Sequence, residues 1–379
     1  MYDAASRVTS ITYKQNGTTV IGDLNYEYDK AGNRTKIGGS WARTGMPEPL
    51  TTTSYDANNR QITFGNKTLA YDDNGNLQSI TDSNGTTLYS WNARNQLVAI
   101  NGPSVNASFV YDGAGRREAK TVKGSLTEFL YDRLNPVQET AGATILANIL
   151  PGLGIDEFLT RTDVLAGETR SFLTDALGSS VALADNAGVV QTDFSYEAFG
   201  KTTTTGASDS SSYQYTGREN DLTGLHFYRA RYYHPTFQRF IAEDPIGFNG
   251  GDENLYGYVR NRPTLSGDPL GLIPPIAIPL ICVVQPELCI GVGAVTVGVI
   301  IHYLNNPIKM SPPTDGGGGN GGSHKPDRWE VCWNALTRCI LDLKCDPVQQ
   351  SLCWLAHEAC VKYPDKLIQF PNGTVVGPM

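Results

Sequence analysis

The sequence predicts a mainly β protein: hairpin repeats that extend one long, coiled sheet, followed by a small α-helical tail. Three observations carry that expectation. A Tyr-Asp motif recurs through the first 140 residues, the composition favours strands joined by tight turns, and all seven cysteines fall after residue 272.

The repeats come first along the chain. "YDAASRVTSI" (2–11), "YDKAGNRTKI" (28–37), "YDANNRQITF" (55–64), "YDDNGNLQSI" (71–80) and "YDGAGRREAK" (111–120) align without gaps. "SWNARNQLVAI" (90–100) and "YDRLNPVQET" (131–140) are weaker copies. In each unit Tyr closes one strand, and Asp with the following Asn or Gly makes an Asx or type I′ turn. The next strand alternates apolar and polar residues, as in Val8, Ser10 and Ile11, or Leu77 and Ile80. A hairpin cannot bury its face alone, so successive hairpins are expected to extend one coiled sheet.

Composition agrees. Gly (40), Pro (21) and Tyr (19) are abundant, and charged residues are only 18%. The net charge of -8 argues against nucleic acid as a partner. "MYDAASRVTS" lacks the basic and apolar regions of a signal peptide.

Residues 141–272 hold two Asp-Pro-x-Gly elements, at Asp244 and Asp268, 24 residues apart in a turn-rich run. Alone, each reads as a turn, with Pro fixing φ and Gly supplying positive φ. Folded back on each other, they bring two carboxylates together. Like charges a few ångströms apart do not both ionise, so one serves as acid and the other as the base that activates water. Arg239 is placed to hold one of them ionised.

These residues carry a resemblance to the YD-repeat, or Rhs, family. It continues in "FLTDALGSSVALADNAGVVQTDFSYEAFG" (172–200) and "YQYTGRENDLTGLHFYRARYYHPTFQRFIAEDPIGF" (213–248), and ends at "DPLGL" (268–272). The resemblance implies a spiral β-shell around a hollow interior, with a core that plugs one end. It implies a self-cleaving aspartyl protease that cuts after the terminal DPxGL, with Asp244 and Asp268 as the pair and Arg239 in support. The scissile bond is then Leu272–Ile273. Met1 opens directly on a repeat, so the chain resembles the tail of a longer member. It departs from the usual family pattern at His234, Gln238 and Arg262.

Beyond Leu272 the composition changes. In 273–310, the apolar run Leu288 to Ile301 spans 14 residues, roughly 21 Å of helix against ~30 Å of hydrocarbon. A buried or membrane-contacting segment is therefore expected rather than a stable span. Residues 311–326 read as a Gly-rich linker. In 327–379, Trp329, Trp333, Leu336, Ile340 and Leu343 recur at helical spacing, and Asp346 caps a second helix. An antiparallel helical hairpin lets Cys339 meet Cys353 and Cys332 meet Cys360 as disulfides, which so small a unit needs. Zinc held by Cys353 and His357 with Cys332 or Cys339 is the weaker reading, because no CxxC pair is present. No metal or cofactor is expected.

The function expected is a shell that encloses and, by cleavage after Leu272, releases its own tail as a toxin-like cargo in competition between cells. The resemblance implies an immunity protein and secretion machinery as partners, and a secreted or cell-surface location. The rival reading is a non-enzymatic surface protein for adhesion or glycan binding, with both DPxG elements as turns.

Overall fold

The Tyr-Asp unit explains the architecture atom by atom. In a computed structural model describing residues 1–272 except 43 and 51, with two short strands near the C-terminus, the same loop recurs at Asp3, Asp29, Asp56, Asp72, Asn92 and Asp112. Each side-chain Oδ1 accepts the amide N–H groups two and four residues on, as at Asp112 from Ala114 and Arg116, both 2.9 Å. The backbone N–H of the Asp donates to the carbonyl four residues later, closing the loop. Position four of the loop needs positive φ, and Gly32, Gly75 and Gly115, Asn59 and Asn95, and in the first loop Ser6, supply it. The turn is thus an Asx loop. Asp175 and Asp185 make the same loop without a preceding Tyr, and Asp132 instead closes a tight Arg133-Leu134 turn.

The aromatic residue ties one repeat to the last. Trp91 Nε1 donates to the Leu77 carbonyl (2.8 Å), Tyr111 Oη to Leu97 (2.7 Å) and Tyr131 Oη to residue 117 (2.9 Å). In each case the acceptor lies five residues past the preceding Asp or Asn. The side chain at that acceptor position is fully buried in Leu77, Leu97 and Arg117. One residue type therefore builds both the turn and the contact between turns.

Strands β1 (Ser10–Gln15), β2 (Thr19–Tyr28) and β3 (Arg34–Gly38) form a separate three-stranded sheet. From β5 (Thr53–Tyr55) to β20 (Thr202–Gly206), every strand pairs antiparallel with the next in sequence. This sheet passes residue 140 without a break, inside β14 (Asn135–Ala141). The short β4 (Thr44–Gly45) pairs in parallel with Tyr196 and Glu197 of β19 (Val190–Glu197), a seam of two residue pairs. We call this curled sheet the wall.

Residues 213–272 pack against the wall and carry a four-stranded sheet: β21 (Glu219–Asn220), β22 (His226–Tyr228), β23 (Arg231–His234) and β24 (Arg239–Phe240). Leu225, Phe227, Tyr232, Phe237 and Ile241 share one core with Leu77, Leu97, Ile100 and Phe109 of the wall. Three buried ionic groups pin the segment. Arg117 of the wall pairs with Glu219 and Asp221, Tyr213 Oη donates to Glu139 (3.0 Å), which also pairs with Arg161, and Asp156 pairs with Arg218 and Arg229. Removing one partner of such a group leaves a buried charge uncompensated, which costs about 3–5 kcal/mol.

The expected helical hairpin, its cysteines and Ile273 lie outside the described residues. Near the C-terminus, strands Ile368–Gln369 and Val375–Val376 pair antiparallel.

Candidate active site

The second Asp-Pro-x-Gly element ends in a run, 269–271, that lies along the β22–β23 hairpin. The hairpin grips three successive carbonyls. Arg229 Nη1 donates to Pro269, the Ala230 amide to Leu270 (3.2 Å), and Arg231 Nε to Gly271. Leu270 and Leu272 are buried at this end. Gly271 has φ +68, and any side chain there would overlap the Tyr228 carbonyl oxygen. Sequence and packing together fix where the Leu272 carbonyl sits.

The two aspartates meet at one arginine, and it is Arg231. Its Nη2 lies 2.9 Å from Asp244 Oδ2 and 3.7 Å from Asp268 Oδ2. Its Nη1 donates to the Leu255 carbonyl (2.9 Å), and its guanidinium stacks 3.7 Å above the Phe240 ring. All three charged side chains are at least nine-tenths buried. Asp268 Oδ1 accepts the amides of Leu270 (3.3 Å), Gly271 (2.9 Å) and Leu272 (3.3 Å). Asp244 Oδ1 accepts one amide, from Ile246 (3.0 Å).

Burial pushes the Asp244 carboxyl up to about 6, with the Asp268 charge adding to the rise and Arg231 and the Ile246 amide opposing it. That places a carboxylic acid within reach of neutral pH. A methyl group on Gly250 would lie 3.0 Å from Asp244 Oδ2 and 3.6 Å from the Leu272 carbonyl oxygen, so acid and carbonyl border the same space. A small pocket opens beside them, lined by Arg231, Asp244, Gly250, Asp252 and Asn254. Its free volume, about 10 Å³, suits a single water.

Arg239, expected to support the pair, lies elsewhere. Its Nη1 donates to the Asn59 carbonyl (2.8 Å), and its guanidinium sits over Tyr55 and Tyr256 at 4.8 and 5.5 Å. It clamps the 213–272 segment to the third repeat. Arg231 was hidden in "YRARYY", where alternation on a buried strand is the only signal. His234 stacks on Phe237 at 3.7 Å and accepts its amide through Nδ1 (3.3 Å). Among the described residues no cluster of three metal-binding side chains occurs, and no helix is long and apolar enough to cross a membrane.

A sequence model of the teneurin YD-shell family matches residues 1–263. The chain belongs to that family. Similar proteins include the tRNA3(Ser)-specific nuclease WapA of Bacillus spizizenii, 30% identical over 65% of this chain and 11% of its own length. The double-stranded DNA deaminase toxin A of Burkholderia cenocepacia is 28% identical over 66% of this chain and 20% of its own. In solved structures, the YD-shell fold recurs in the TcdB2-TccC3-Cdc42 crystal structure, with a TM-score of 0.52 at 20% identity, over 72% of this chain and 18% of that one. The chain thus spans between a tenth and a fifth of the length of these relatives.

Proposed function

We propose that this YD-shell chain encloses residues 273–379 as cargo and frees them by aspartyl autoproteolysis of the Leu272–Ile273 bond. The observation that carries the reading is the convergence of Asp244, Asp268 and Arg231 beside a Leu272 carbonyl whose three predecessors are individually gripped. Asp268 takes a proton from water, and the water oxygen bonds to the Leu272 carbonyl carbon. Asp244 gives its proton to the carbonyl oxygen as the carbon becomes tetrahedral. Asp268 then passes the proton it took from water to the Ile273 amide nitrogen, and the C–N bond breaks. One hydroxyl of the tetrahedral carbon returns its proton to Asp244, and a Leu272 carboxyl group and an Ile273 amine remain. The three amides on Oδ1 hold the base Asp268 in place, and Arg231 bridges the two carboxyl groups.

The relatives' names support a toxin cargo, since one is called a tRNA nuclease and another a DNA deaminase toxin. Delivery between cells, an immunity protein for the producer and a secretion route are proposed by family analogy alone. The apolar run of the tail suits contact with a membrane.

Electrophoresis and intact-mass measurement of the purified chain test the reading. Fragments of 272 and 107 residues are expected, and Asp244→Asn or Asp268→Asn is expected to slow their appearance by roughly 10²- to 10⁴-fold. A native chain that stays intact would favour the adhesion or glycan-binding alternative, with both elements as turns.

A further inference from the structure

The grip on Pro269 does not end in the 213–272 segment. Arg229 is shared between the cleavage turn and the wall. Its Nη1 donates to the Pro269 carbonyl and to Asp156 Oδ2 (2.9 Å), and its Nη2 donates to Asp156 Oδ1 (2.6 Å) and the Leu134 carbonyl (2.9 Å). Leu134 belongs to the turn between β13 (Ser125–Asp132) and β14, and Asp156 to the loop between β15 (Thr144–Pro151) and β16 (Phe158–Asp163). The wall fixes Asp156 from its own side, with φ +61 and its amide donating to Asn135 Oδ1 (2.9 Å), while its carboxylate also pairs with buried Arg218 of the 213–272 segment. A continuous path, Asn135 to Asp156 to Arg229 to Pro269, thus joins two wall loops to the residue three before Leu272.

We propose that Arg229 is a positioning residue that makes cleavage conditional on a folded wall. Only when β13–β16 are in place does Asp156 exist as a buried anion for Arg229 to grip. Only then is the 269–271 run drawn along the hairpin, with the Leu272 carbonyl beside Asp244. The inference rests on the autoproteolytic reading and adds its regulation: a chain whose wall is unfinished keeps its tail attached. A bidentate guanidinium suits this task because it bonds carboxylate and carbonyls at once, which a lysine ammonium does with poorer geometry.

The test uses the full chain with Arg229→Gln, Arg229→Lys and Asp156→Asn. Cleavage rate is followed by intact mass across pH. Amide exchange at residues 270–272 is followed in parallel in chains that also carry Asp244→Asn. Arg229→Gln and Asp156→Asn are expected to slow cleavage roughly 10- to 100-fold, the loss that follows from a displacement of about 1 Å. They should speed exchange at 270–272, leave exchange in β7 (Lys67–Tyr71) and β8 (Leu77–Asp82) unchanged, and leave the pH midpoint of cleavage where it is in the native chain. Arg229→Lys should recover part of the rate. Cleavage within twofold of native, unchanged exchange at 270–272, or exchange raised throughout the wall would each overturn the proposal. A native chain that never cleaves removes the autoproteolytic reading and this inference with it, whereas a cleaving native chain with an equally fast Arg229→Gln removes this inference alone.

Discussion

The two Asp-Pro-x-Gly elements share a tetrapeptide pattern and differ in everything around it. At Asp268 three amides converge on Oδ1 and the glycine is pressed against backbone. At Asp244 one amide reaches Oδ1, and the glycine faces open space. The turn at Asp268 is therefore built as a rigid cradle for a fixed carboxylate. The turn at Asp244 is a looser support for a carboxyl whose proton affinity is set by burial. A motif read from sequence names the residue type; the surroundings divide the labour.

The glycines give the largest contrast. At Gly247 (φ +56) an added methyl group would meet no heavy atom within 4 Å, so Gly247→Ala costs only the left-handed backbone, about 1 kcal/mol. Gly271→Ala must also displace the Tyr228 carbonyl, which raises the loss to about 3 kcal/mol and lifts residues 269–272 off the hairpin. Urea unfolding measures the two losses, and intact mass should show cleavage abolished in Gly271→Ala alone. Equal losses at the two positions would erase the distinction between cradle and support.

Much of the wall was legible because one local device repeats. The Asp-to-amide loop needs only Asp, a residue tolerant of positive φ and four residues of chain, all adjacent in sequence. Loops at Asp175 and Asp185 use it too, and the D-x-x-G spacing in "DALG" and "DNAG" was the available signal. The convergence of 244 and 268 was legible as a pair of turns. The arginine between them was not. Arg231 and Arg239 both lie on buried strands, and which one meets the aspartates depends on strand register across β23 and β24, where His234 pairs with Arg239 and Tyr233 with Phe240. The link from Asp156 to Arg229, 73 residues away, has no local signature at all.

A second, smaller contrast lies in pH. If Asp244 donates the proton, cleavage requires its protonated form, so the rate falls as pH rises through about 6 and is roughly 100-fold below its plateau by pH 8. Stability carries the same sign for this group. Its folded value lies above the unfolded 3.8, so its contribution is complete below 3.8 and is lost, by about 3 kcal/mol, as pH rises through 6. His226 works oppositely: buried and lowered from 6.5 to about 4, it contributes stability above 6.5 that is lost as pH falls to about 4. The difference in unfolding free energy between native and Asp244→Asn chains, measured from pH 4 to 8, cancels the histidine and isolates the aspartate. A flat difference would assign the acid role elsewhere.

The smallest expected effect, and the finest discrimination, comes from the two arginines. Arg231 meets five demands with one planar group: both aspartates, the Gly271 and Leu255 carbonyls, and the Phe240 ring. Lysine offers a single compact charge, so Arg231→Lys satisfies one aspartate and leaves the carbonyls unserved. Cleavage is expected to slow about tenfold, ~1.4 kcal/mol of transition-state stabilisation. Arg239→Lys touches neither aspartate and should change the rate by about twofold or less, while loosening the contact with Asn59 and the two tyrosines. Rates from intact mass at pH 6, where Asp244 is half protonated, compare the two directly. A larger loss at Arg239 than at Arg231 would mean that the geometry joining the two turns is not the geometry that cleaves.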